Sequence, residues 1–269
     1  MTDWRTYLAG FHARNPGITE AVLRRARSGG LTPYTWLARA VSGDRVLDLA
    51  CGNSAMAATL AEDRSRTTQP WVVGVDTSEA ELRAGRERGR GGPLVRADVG
   101  ALPFAGGSFD AVVSSLGLVV AEELDGVLAE VARVLRHGGV LAATVPSAVP
   151  LRAQDMRLLP PLTARLRTTP QFPAGGEMTG LGTSLEAAGF RVLEDARERF
   201  AFVVRTLEDA DLLMRSLYLP DTPDRRRDSA ASWLAARAAG AGGEGVEVAT
   251  PIRRVVAMKS VESDVGGLQ

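Results

Sequence analysis

The chain has 269 residues, with 32 Lys and Arg balanced by 32 Asp and Glu, and a hydrophobic fraction of 45%. This length allows one large domain rather than two independent ones, and zero formal net charge argues against a bulk nucleic-acid substrate. No apolar run approaches the roughly 18 residues of a membrane span, the first residues do not resemble a secretory signal, and the single cysteine, Cys51, cannot form an intramolecular disulfide. We therefore expect a cytoplasmic protein that does not bind membranes.

Two short helices are predicted ahead of the first strand, within residues 1–43. Asn15-Pro16 and Thr32-Pro33 each place an N-cap residue before a proline at the first helical position. The glycines expected to end these helices are Gly29, Gly30 and Gly43. We expect this segment to form a helical cap that packs over the functional site.

Short apolar runs separated by helical segments predict a parallel sheet that is covered on both faces. The runs are Arg45 to Ala50, Trp71 to Val75, the Leu94-Val95 pair, Phe109 to Ser115 and Gly139 to Val145. The predicted fold class is therefore α/β, with a doubly wound sheet.

The helical segments between these strands carry recognisable ends. Asn53-Ser54 is predicted to cap the helix after the first strand. Ser78 and Glu81 form a predicted capping box, in which the Glu81 side chain returns to the Ser78 N–H. The clearest helix spans 122–136, with apolar residues at helical spacing, and Gly138 is predicted to terminate it.

The pattern changes after Val145. Residues 146–176 contain six of the 14 prolines of the chain, and proline disfavours both helix and central strand. A long connection of this kind inside a domain is typically functional or disordered. Its apolar content favours a lid insertion after the fifth strand.

The C-terminal part returns to regular structure. A helix ending at Gly189, a strand over 190–204 and a helical insertion over 205–245, begun by Thr206, are predicted in that order. The last strand is expected over 246–258, broken by Pro251. These boundaries predict one domain over 44–259, followed by a disordered tail over 260–269.

Polar or glycine residues lie at the ends of three neighbouring predicted strands. Asp48 and Gly52 flank the end of the first strand, Asp76 ends the second, and Asp98 follows the third. In an open α/β sheet, ligands bind outside the carboxyl ends of the strands, where a glycine allows close approach and a carboxylate can accept from both hydroxyls of a ribose. Asp98 can accept from an exocyclic amine such as that of adenine. The pattern predicts a nucleoside site, and the single glycine of the first loop does not suit a dinucleotide pyrophosphate.

Four strings, in the right order and spacing, resemble those of class I S-adenosylmethionine-dependent methyltransferases, nearest the ubiquinone and menaquinone C-methyltransferases. They are VLDLACGNS, VVGVDTS, RADVGALPFAGGSFDAVVSS and LAEVARVLRHGGVLAATVPS, which cover residues 45–147. The resemblance implies a Rossmann-like, mostly parallel sheet of seven strands and S-adenosylmethionine as the cofactor. By position it implies a cofactor site composed of Asp48, Ala50 and Gly52 for the methionine part, Asp76 and Thr77 for the ribose, Asp98 and Val99 for the adenine, and Ser114 to Leu116 beside the sulfonium.

The first loop departs from this family at Ala50 and Ser54, where glycines are usual. If Ala50 required a positive φ, its side chain would cost roughly 1 to 2 kcal/mol. Either the backbone is ordinary there or the cofactor binds less tightly. Cys51 is interpreted as a small buried filler, and His137, in a loop where the family often has proline, as structurally incidental.

Methyl transfer requires alignment of the nucleophile and exclusion of water, and a base when the nucleophile is a hydroxyl. His12, in the predicted cap, is the candidate base. Tyr7, with Trp4, either closes over the methionine carboxylate or packs the cap. Arg14 and Arg152 either hold an acidic substrate or are solvated surface charges.

The leading hypothesis is an enzyme that transfers a methyl group from S-adenosylmethionine to a small, partly apolar acceptor in bacterial specialised metabolism. The lack of an obvious obligatory base fits an amine, thiol or carbanion acceptor, or a phenol. A cofactor-binding protein that does not methylate, either regulatory or catalysing a rearrangement, is the alternative. RNA or protein methylation is disfavoured by the net charge, and a dehydrogenase by the missing glycines. No metal is expected, and the chain is predicted to be a monomer or homodimer.

Overall fold

A seven-stranded sheet lies at the centre of the computed structural model, which describes residues 2–89 and 92–260. Its strands are β1 (Arg45–Leu49), β2 (Trp71–Asp76), β3 (Leu94–Arg96), β4 (Phe109–Ser115), β5 (Leu135–Pro146), β6 (Phe190–Val204) and β7 (Val246–Lys259). Their order is β3-β2-β1-β4-β5-β7-β6, and β7 runs antiparallel to both of its neighbours. The predicted doubly wound, mostly parallel sheet is confirmed.

Helices flank this sheet on both faces. They are α1 (Trp4–Arg14), α2 (Ile18–Leu23), α3 (Pro33–Ala38), α4 (Ala55–Glu62), α5 (Glu79–Glu87), α6 (Leu124–Val134), α7 (Ala153–Leu166), α8 (Leu181–Ala187), α9 (Leu207–Ser216) and α10 (Asp224–Ala239), with a 3-10 turn over Leu118–Val120. In the described part of the chain, none of them is both long and apolar enough to cross a membrane.

The central strands β1, β2 and β4 carry continuous buried runs because successive side chains enter different cores. Leu47 and Leu49 of β1 face one core, which α6 and α8 complete, whereas Val46 faces a second core completed by α3 and α4. A third core joins α7, α9 and α10 to Phe202 and Val204 at the end of β6. Burial on both faces accounts for the continuous apolar runs of the sequence.

The topology places the functional edge beside β1. From β1 the chain adds β2 and β3 on one side and then crosses to add β4 on the other. Such a change of direction opens a crevice at the carboxyl ends of the strands on either side of the switch. Asp48, Asp76 and Ser114 all lie at this edge.

The N-terminal segment contains three helices in the described residues, not the two predicted. Asn15 ends α1 as its C-cap, and α2 begins after Gly17, whose φ of 79° is left-handed. The predicted Asn15-Pro16 helix start is therefore wrong. Thr32 does cap α3, with a reciprocal hydrogen-bond pair to Thr35.

The helix predicted over 122–136 is shorter, because α6 ends at Val134. Leu135 already pairs with Phe109 of β4, so pairing to the sheet replaces the last helical turn. Gly138, with a φ of 70°, lies inside β5 rather than at a helix end. It occupies the irregular stretch where the register between β4 and β5 shifts, as expected for a bulge.

The proline-rich segment 146–176 forms a helix, α7, which the sequence analysis disfavoured. Pro160 and Pro161 lie inside it, where each proline lacks a helical N–H donor. Its leucines at 158, 162 and 166 follow helical spacing and are buried in the third core. At roughly 1.5 to 3 kcal/mol per buried side chain, their burial offsets the proline penalty.

Strand β7 continues through Pro251 instead of breaking there. The carbonyl of Pro251 accepts from the Ser147 N–H, just beyond the end of β5. The backbone N and C=O of a strand residue point to the same side, so the nitrogen of Pro251 also faces β5. Because β5 ends at this level, the missing N–H of the proline does not remove a hydrogen bond from the sheet. Of the predicted tail, residues 261–269 lie outside the described residues.

Candidate functional site

Asp76 connects the first loop to the end of β2. Its Oδ2 accepts from the Gly52 N–H at 2.8 Å, and its Oδ1 accepts from the Ser78 N–H at 2.8 Å. Burial raises the pKa of this carboxyl, and the two backbone donors oppose that rise. Each oxygen keeps further acceptor capacity, so the carboxylate can still receive two hydroxyl donors.

Asp48 is the most isolated carboxylate at this edge. It is 1% exposed, and its Oδ2 is buried without a hydrogen-bond partner among the described residues. Burial, followed by the nearby charge of Asp76, raises its pKa to about 8. A buried carboxylate needs a donor or a counter-cation. Asp48, at the end of β1, can therefore accept from a cationic ligand group, whose charge favours the ionised form.

The first loop is left-handed at three residues, with φ of 53° at Ala50, 52° at Gly52 and 69° at Ser54. The sequence left open whether the backbone at Ala50 is ordinary. The positive φ shows that it is not, so that alternative is wrong. Ser54 directly precedes α4, but its hydroxyl makes no capping hydrogen bond, because its left-handed backbone differs from the extended one of a typical N-cap. The predicted side-chain cap is wrong.

The strain at Ala50 can be measured. We expect Ala50→Gly to leave the free energy of unfolding unchanged or raise it by up to about 1 kcal/mol, since glycine adopts a positive φ freely. Ala236→Gly, at an exposed interior position of α10, is the control and should lose about 1 kcal/mol. Urea unfolding of both variants is the test, and equal losses would contradict strain at Ala50.

The side chains predicted for the sulfonium region are positioned by β4. Ser114 is fully buried and donates to the Leu49 carbonyl at 3.1 Å, which joins β4 to β1. Leu116 has a left-handed φ of 59° and its N–H donates to the Thr144 carbonyl. A Cβ at Gly117 would come within 2.7 Å of the Ala50 Cβ. The two loops therefore pack closely where the chain leaves β1 and β4.

The residues predicted for adenine and ribose lie on the rim of the same edge. Asp98 is exposed, and its Oδ1 accepts from the Gly100 N–H at 2.8 Å. Val99 is half-buried against the first core. Thr77 is exposed, and its carbonyl accepts from Arg96. All three follow the ends of β2 and β3, so the structure brings them to the same edge as Asp48 and Asp76.

His12 extends from α1 to this edge and both of its ring nitrogens are engaged. Nδ1 lies 3.0 Å from Glu81 Oε1, and Nε2 lies 2.9 Å from the Tyr218 hydroxyl. Both Glu81 oxygens also accept from the Gly17 N–H. The predicted return of the Glu81 side chain to Ser78 is therefore wrong, although the Ser78 hydroxyl does accept from the Glu81 N–H.

Tyr7 belongs to an aromatic cluster that joins the cap to two later segments. Its hydroxyl accepts from the Leu219 N–H at 2.9 Å, which favours the second alternative for Tyr7, packing of the cap. The aromatic cluster consists of Trp4, Tyr7, Phe11, Phe172 and Tyr218. No sequence pattern singled out Tyr218, because its partners are distant in the chain.

Other candidates lie away from this arrangement. Cys51 is buried in the first loop, and burial raises the pKa of its thiol well above the usual range, as expected for a filler. His137 is exposed. Within residues 2–89 and 92–260 no group of three or more His, Cys, Asp and Glu side chains could hold a metal.

Comparison with known sequences identifies relatives of this chain. Residues 47–143 match the model of a family described as methyltransferase domain. Demethylmenaquinone methyltransferase of Mycobacterium sp. (strain KMS) is 34% identical over 195 residues, which cover 66% of this chain and 81% of that protein. The enzyme of the same name from Thermobifida fusca is 33% identical over 172 residues, or 56% of this chain and 70% of the relative.

Solved structures share the fold at lower identity. Phosphoethanolamine N-methyltransferase 2 of Haemonchus contortus, in complex with phosphomonomethylethanolamine and S-adenosylhomocysteine, has a TM-score of 0.56 at 15% identity and covers 97% of this chain and 61% of its own. The [4+2]-cyclase SpnF has a TM-score of 0.53 at 22% identity and covers 85% and 80%. The fold therefore supports chemistry other than methyl transfer as well.

Proposed function

Because this chain belongs to the class I S-adenosylmethionine-dependent methyltransferases, we propose that it methylates a small, partly apolar acceptor of the hydroquinone type. The membership makes it an S-adenosylmethionine-dependent enzyme. The acceptor class is suggested by the relatives, which are demethylmenaquinone methyltransferases. A place in bacterial specialised metabolism, a monomeric or dimeric state and the lack of a nucleic-acid partner stay predictions.

The observation that supports the cofactor site is the pair of carboxyl groups at adjacent strand ends, buried at Asp48 and half-buried at Asp76. In this proposal the unpartnered Asp48 oxygen receives the ammonium group of the cofactor, and Asp76 receives the two ribose hydroxyls. Glycine at position 52 keeps the approach open, since a Cβ there would meet only Glu81, at 3.8 Å. The roles of Asp48 and Asp76 both use hydrogen-bond acceptor positions on their carboxyl oxygens that the protein itself leaves unused.

The remaining predicted contacts complete the proposal. Asp98 and Val99 accommodate the adenine, with Thr77 at the ribose, while Ala50 and the residues from Ser114 to Leu116 surround the sulfonium. Residues 1–43 act as a cap, with Tyr7 securing it over the methionine part. Residues 146–176 and 205–245 act as the cover of the acceptor.

The cofactor supplies a methyl group already activated by a sulfonium cation. The task of the chain is then to align the acceptor and keep water out. The aromatic cluster suits this role, because it provides flat apolar surface between the cap and the segment 146–176. A hydroquinone presents a flat ring with hydroxyl groups, which fits such surroundings.

Calorimetric titration with S-adenosylmethionine and S-adenosylhomocysteine tests the cofactor site. We expect Asp76→Ala to raise the Kd of both ligands by about 100-fold, since it removes hydrogen bonds of a charged acceptor worth roughly 1.5 to 3 kcal/mol each. Asp228→Ala, at an exposed position of α10, is the matched control and should retain wild-type affinity. Equal affinity of the two variants would refute the assignment of Asp76.

The acceptor is tested with a short-chain demethylmenaquinol. We expect the wild-type protein to transfer a methyl group to this probe, detected by mass, and expect no transfer to the oxidised quinone, whose ring carbons are not nucleophilic. Binding of the cofactor without methylation of the quinol would overturn the proposed acceptor and leave the cofactor site intact.

A further inference from the structure

Three polar side chains from three separate segments form a continuous hydrogen-bonded chain. Glu81 of α5 contacts His12 of α1 at 3.0 Å, and His12 contacts Tyr218, between α9 and α10, at 2.9 Å. Glu81 is 5% exposed, whereas His12 is 23% exposed. Such a chain is expensive to bury unless every member is satisfied, and here each member has a partner.

The chemistry of the partners sets the direction of the hydrogen bonds. An ionised carboxylate only accepts, and Glu81 already accepts from the Gly17 N–H with both oxygens. His12 therefore carries its proton on Nδ1 when the imidazole is neutral. Nε2 is then the acceptor, and the Tyr218 hydroxyl donates to it.

This chain ends at the cofactor edge and not elsewhere on the surface. Burial raises the pKa of the Asp76 carboxyl, and His12 is close enough that its protonated form would oppose this rise. The Glu81 carboxylate lies 3.8 Å from the position of a Gly52 Cβ. The ring of Tyr218 packs on Phe11 of the cap and on Phe172 of the segment 146–176. Tyr218 thus joins the proposed cap to the proposed cover of the acceptor.

Burial raises the pKa of Tyr218 well above its usual range, and the groups that face its hydroxyl add to this rise. These are Glu81 from α5, Asp76 from β2 and Tyr7 from α1, whereas the Thr19 hydroxyl of α2 opposes the rise. The phenol therefore stays protonated at neutral pH. It can accept a proton from a ligand only if it passes its own proton on, and His12 Nε2 is in place to receive it.

We propose that Tyr218 is the catalytic residue that takes the proton of the acceptor, with His12 as the receiving base and Glu81 as a positioning residue. This proposal rests on the proposed function, because it needs an acceptor that carries a hydroxyl proton. It differs from the sequence-based prediction, in which His12 itself faced the acceptor.

The step balances with the groups named. The hydroxyl proton of the acceptor moves to Tyr218 Oη while the Tyr218 proton moves to His12 Nε2, and the acceptor carbon forms its bond to the methyl group. The immediate product is the neutral keto tautomer, whose ring carbon carries both the methyl group and its hydrogen. Loss of that hydrogen as a proton and return of a proton to the ring oxygen restore the hydroquinone with no further net change. The bond between methyl and sulfur breaks, and its electron pair stays on sulfur as a neutral thioether. His12 is left as an imidazolium beside Glu81, and its partial exposure lets the extra proton leave to water.

A purely structural function predicts different behaviour. In that case the hydrogen bonds among Glu81, His12 and Tyr218 would act as a latch, meaning that they only hold α1 against the cofactor edge of the sheet. The hydrogen bond from the Leu219 N–H to the Tyr7 hydroxyl also holds α1 in place. Tyr7→Phe is therefore the comparison variant, since it breaks the Leu219 contact but leaves the hydrogen bonds between Glu81, His12 and Tyr218 in place. A latch predicts that Tyr218→Phe and Tyr7→Phe act alike.

The first experiment measures turnover of the short-chain demethylmenaquinol against pH, together with the Kd of S-adenosylmethionine. We expect Tyr218→Phe to lower kcat by about 100-fold or more, within the range of general base catalysis, with little change in that Kd. Tyr7→Phe should lower kcat far less than Tyr218→Phe does. A Tyr218→Phe variant with kcat within threefold of wild type, or one altered only in Kd or melting temperature, would overturn the proposal.

The second experiment needs no acceptor. The chain has two histidines, so ¹⁵N-histidine NMR gives two sets of ring signals, assigned with His12→Asn. We expect His12 to carry its proton on Nδ1, and Glu81→Gln to lose this preference while Glu81→Asp restores part of it. If Nε2 carries the proton instead, the proposed proton path from Tyr218 to His12 is overturned, even if methylation is observed. If the wild type leaves the quinol probe unmethylated, the proposed acceptor fails, and the NMR result alone supports or overturns the proton path.

Discussion

Replacing Asp48 with asparagine is expected to stabilise the protein and to weaken its binding of S-adenosylmethionine. The amide keeps the shape of the side chain but cannot ionise. In the folded protein the pKa of Asp48 is raised to about 8, whereas an unfolded chain has an aspartate pKa of about 3.9. The folded state therefore holds a proton that the unfolded state has lost over this whole pH interval.

The sign of the effect follows from proton linkage. Where the folded state binds more protons, stability falls as pH rises, so wild-type stability should decline between about pH 4 and pH 8. The upper limit of this decline is about 5 kcal/mol, and we expect at least about 2 kcal/mol at pH 7.5. Asp48→Asn should not show this decline, and at pH 7.5 its free energy of unfolding should exceed that of the wild type. Urea unfolding across this pH interval measures both.

A control of opposite sign is available at Asp195. A hydrogen bond from Arg253 is the main cause that lowers the pKa of this carboxyl, so its contribution is present above the unfolded pKa and lost as pH falls. Asp195→Asn should therefore destabilise at neutral pH. If both variants were less stable than wild type at pH 7.5, Asp48 would not be a carboxyl held neutral by burial.

The cost to function is expected in the same variant. A charged hydrogen bond contributes roughly 1.5 to 3 kcal/mol, so Asp48→Asn should weaken binding of S-adenosylmethionine by about 10- to 100-fold. A cation arriving at Asp48 favours its ionised form, so binding near pH 7 should release a proton in the wild type only. Titrations in two buffers of different ionisation enthalpy measure this release.

The part of the site that the sequence predicts is the part made by neighbouring strands. Asp48 and Asp76 end adjacent strands, and parallel pairing brings Leu49 opposite Val75, so spacing along the chain is enough to place them together. The sequence left the backbone of Ala50 open, because an alanine does not by itself require the left-handed φ that the packing around this loop imposes.

Contacts between distant segments could not be read from local patterns. Glu81 looks like the partner of Ser78, three residues away, yet it binds Gly17 and His12, which are 64 and 69 residues away. Tyr218 is 206 residues from His12. A capping rule describes a helix in isolation, whereas the N-terminal segment packed beside α5 offers Glu81 a backbone donor from Gly17 and the imidazole of His12.

The same limit explains α7, whose prolines argue against a helix while its tertiary contacts support one. Asp155 of α7 is fully buried and receives two hydrogen bonds of 2.7 Å from Arg199 of β6, which is 7% exposed. Arg199 also reaches Glu247 of β7 at 3.2 Å. The Asp155–Arg199 pair therefore holds α7 against the sheet, although the two residues are 44 positions apart in the sequence.

Breaking this pair on one side is expected to be the most destabilising change considered. Arg199→Met leaves the Asp155 carboxylate buried without its counter-charge, and removal of one partner of a buried pair typically costs about 3 to 5 kcal/mol. Replacing both, as Asp155→Leu with Arg199→Met, should recover most of that loss, because neither charge then remains unpaired. Arg83→Met, from the exposed Arg83 and Glu87 pair with both side chains 70% exposed, is the control and should cost at most about 0.5 kcal/mol. Urea unfolding of both single variants and the double variant completes a double-mutant cycle. If the losses in the free energy of unfolding add in the double variant, the two charges do not interact.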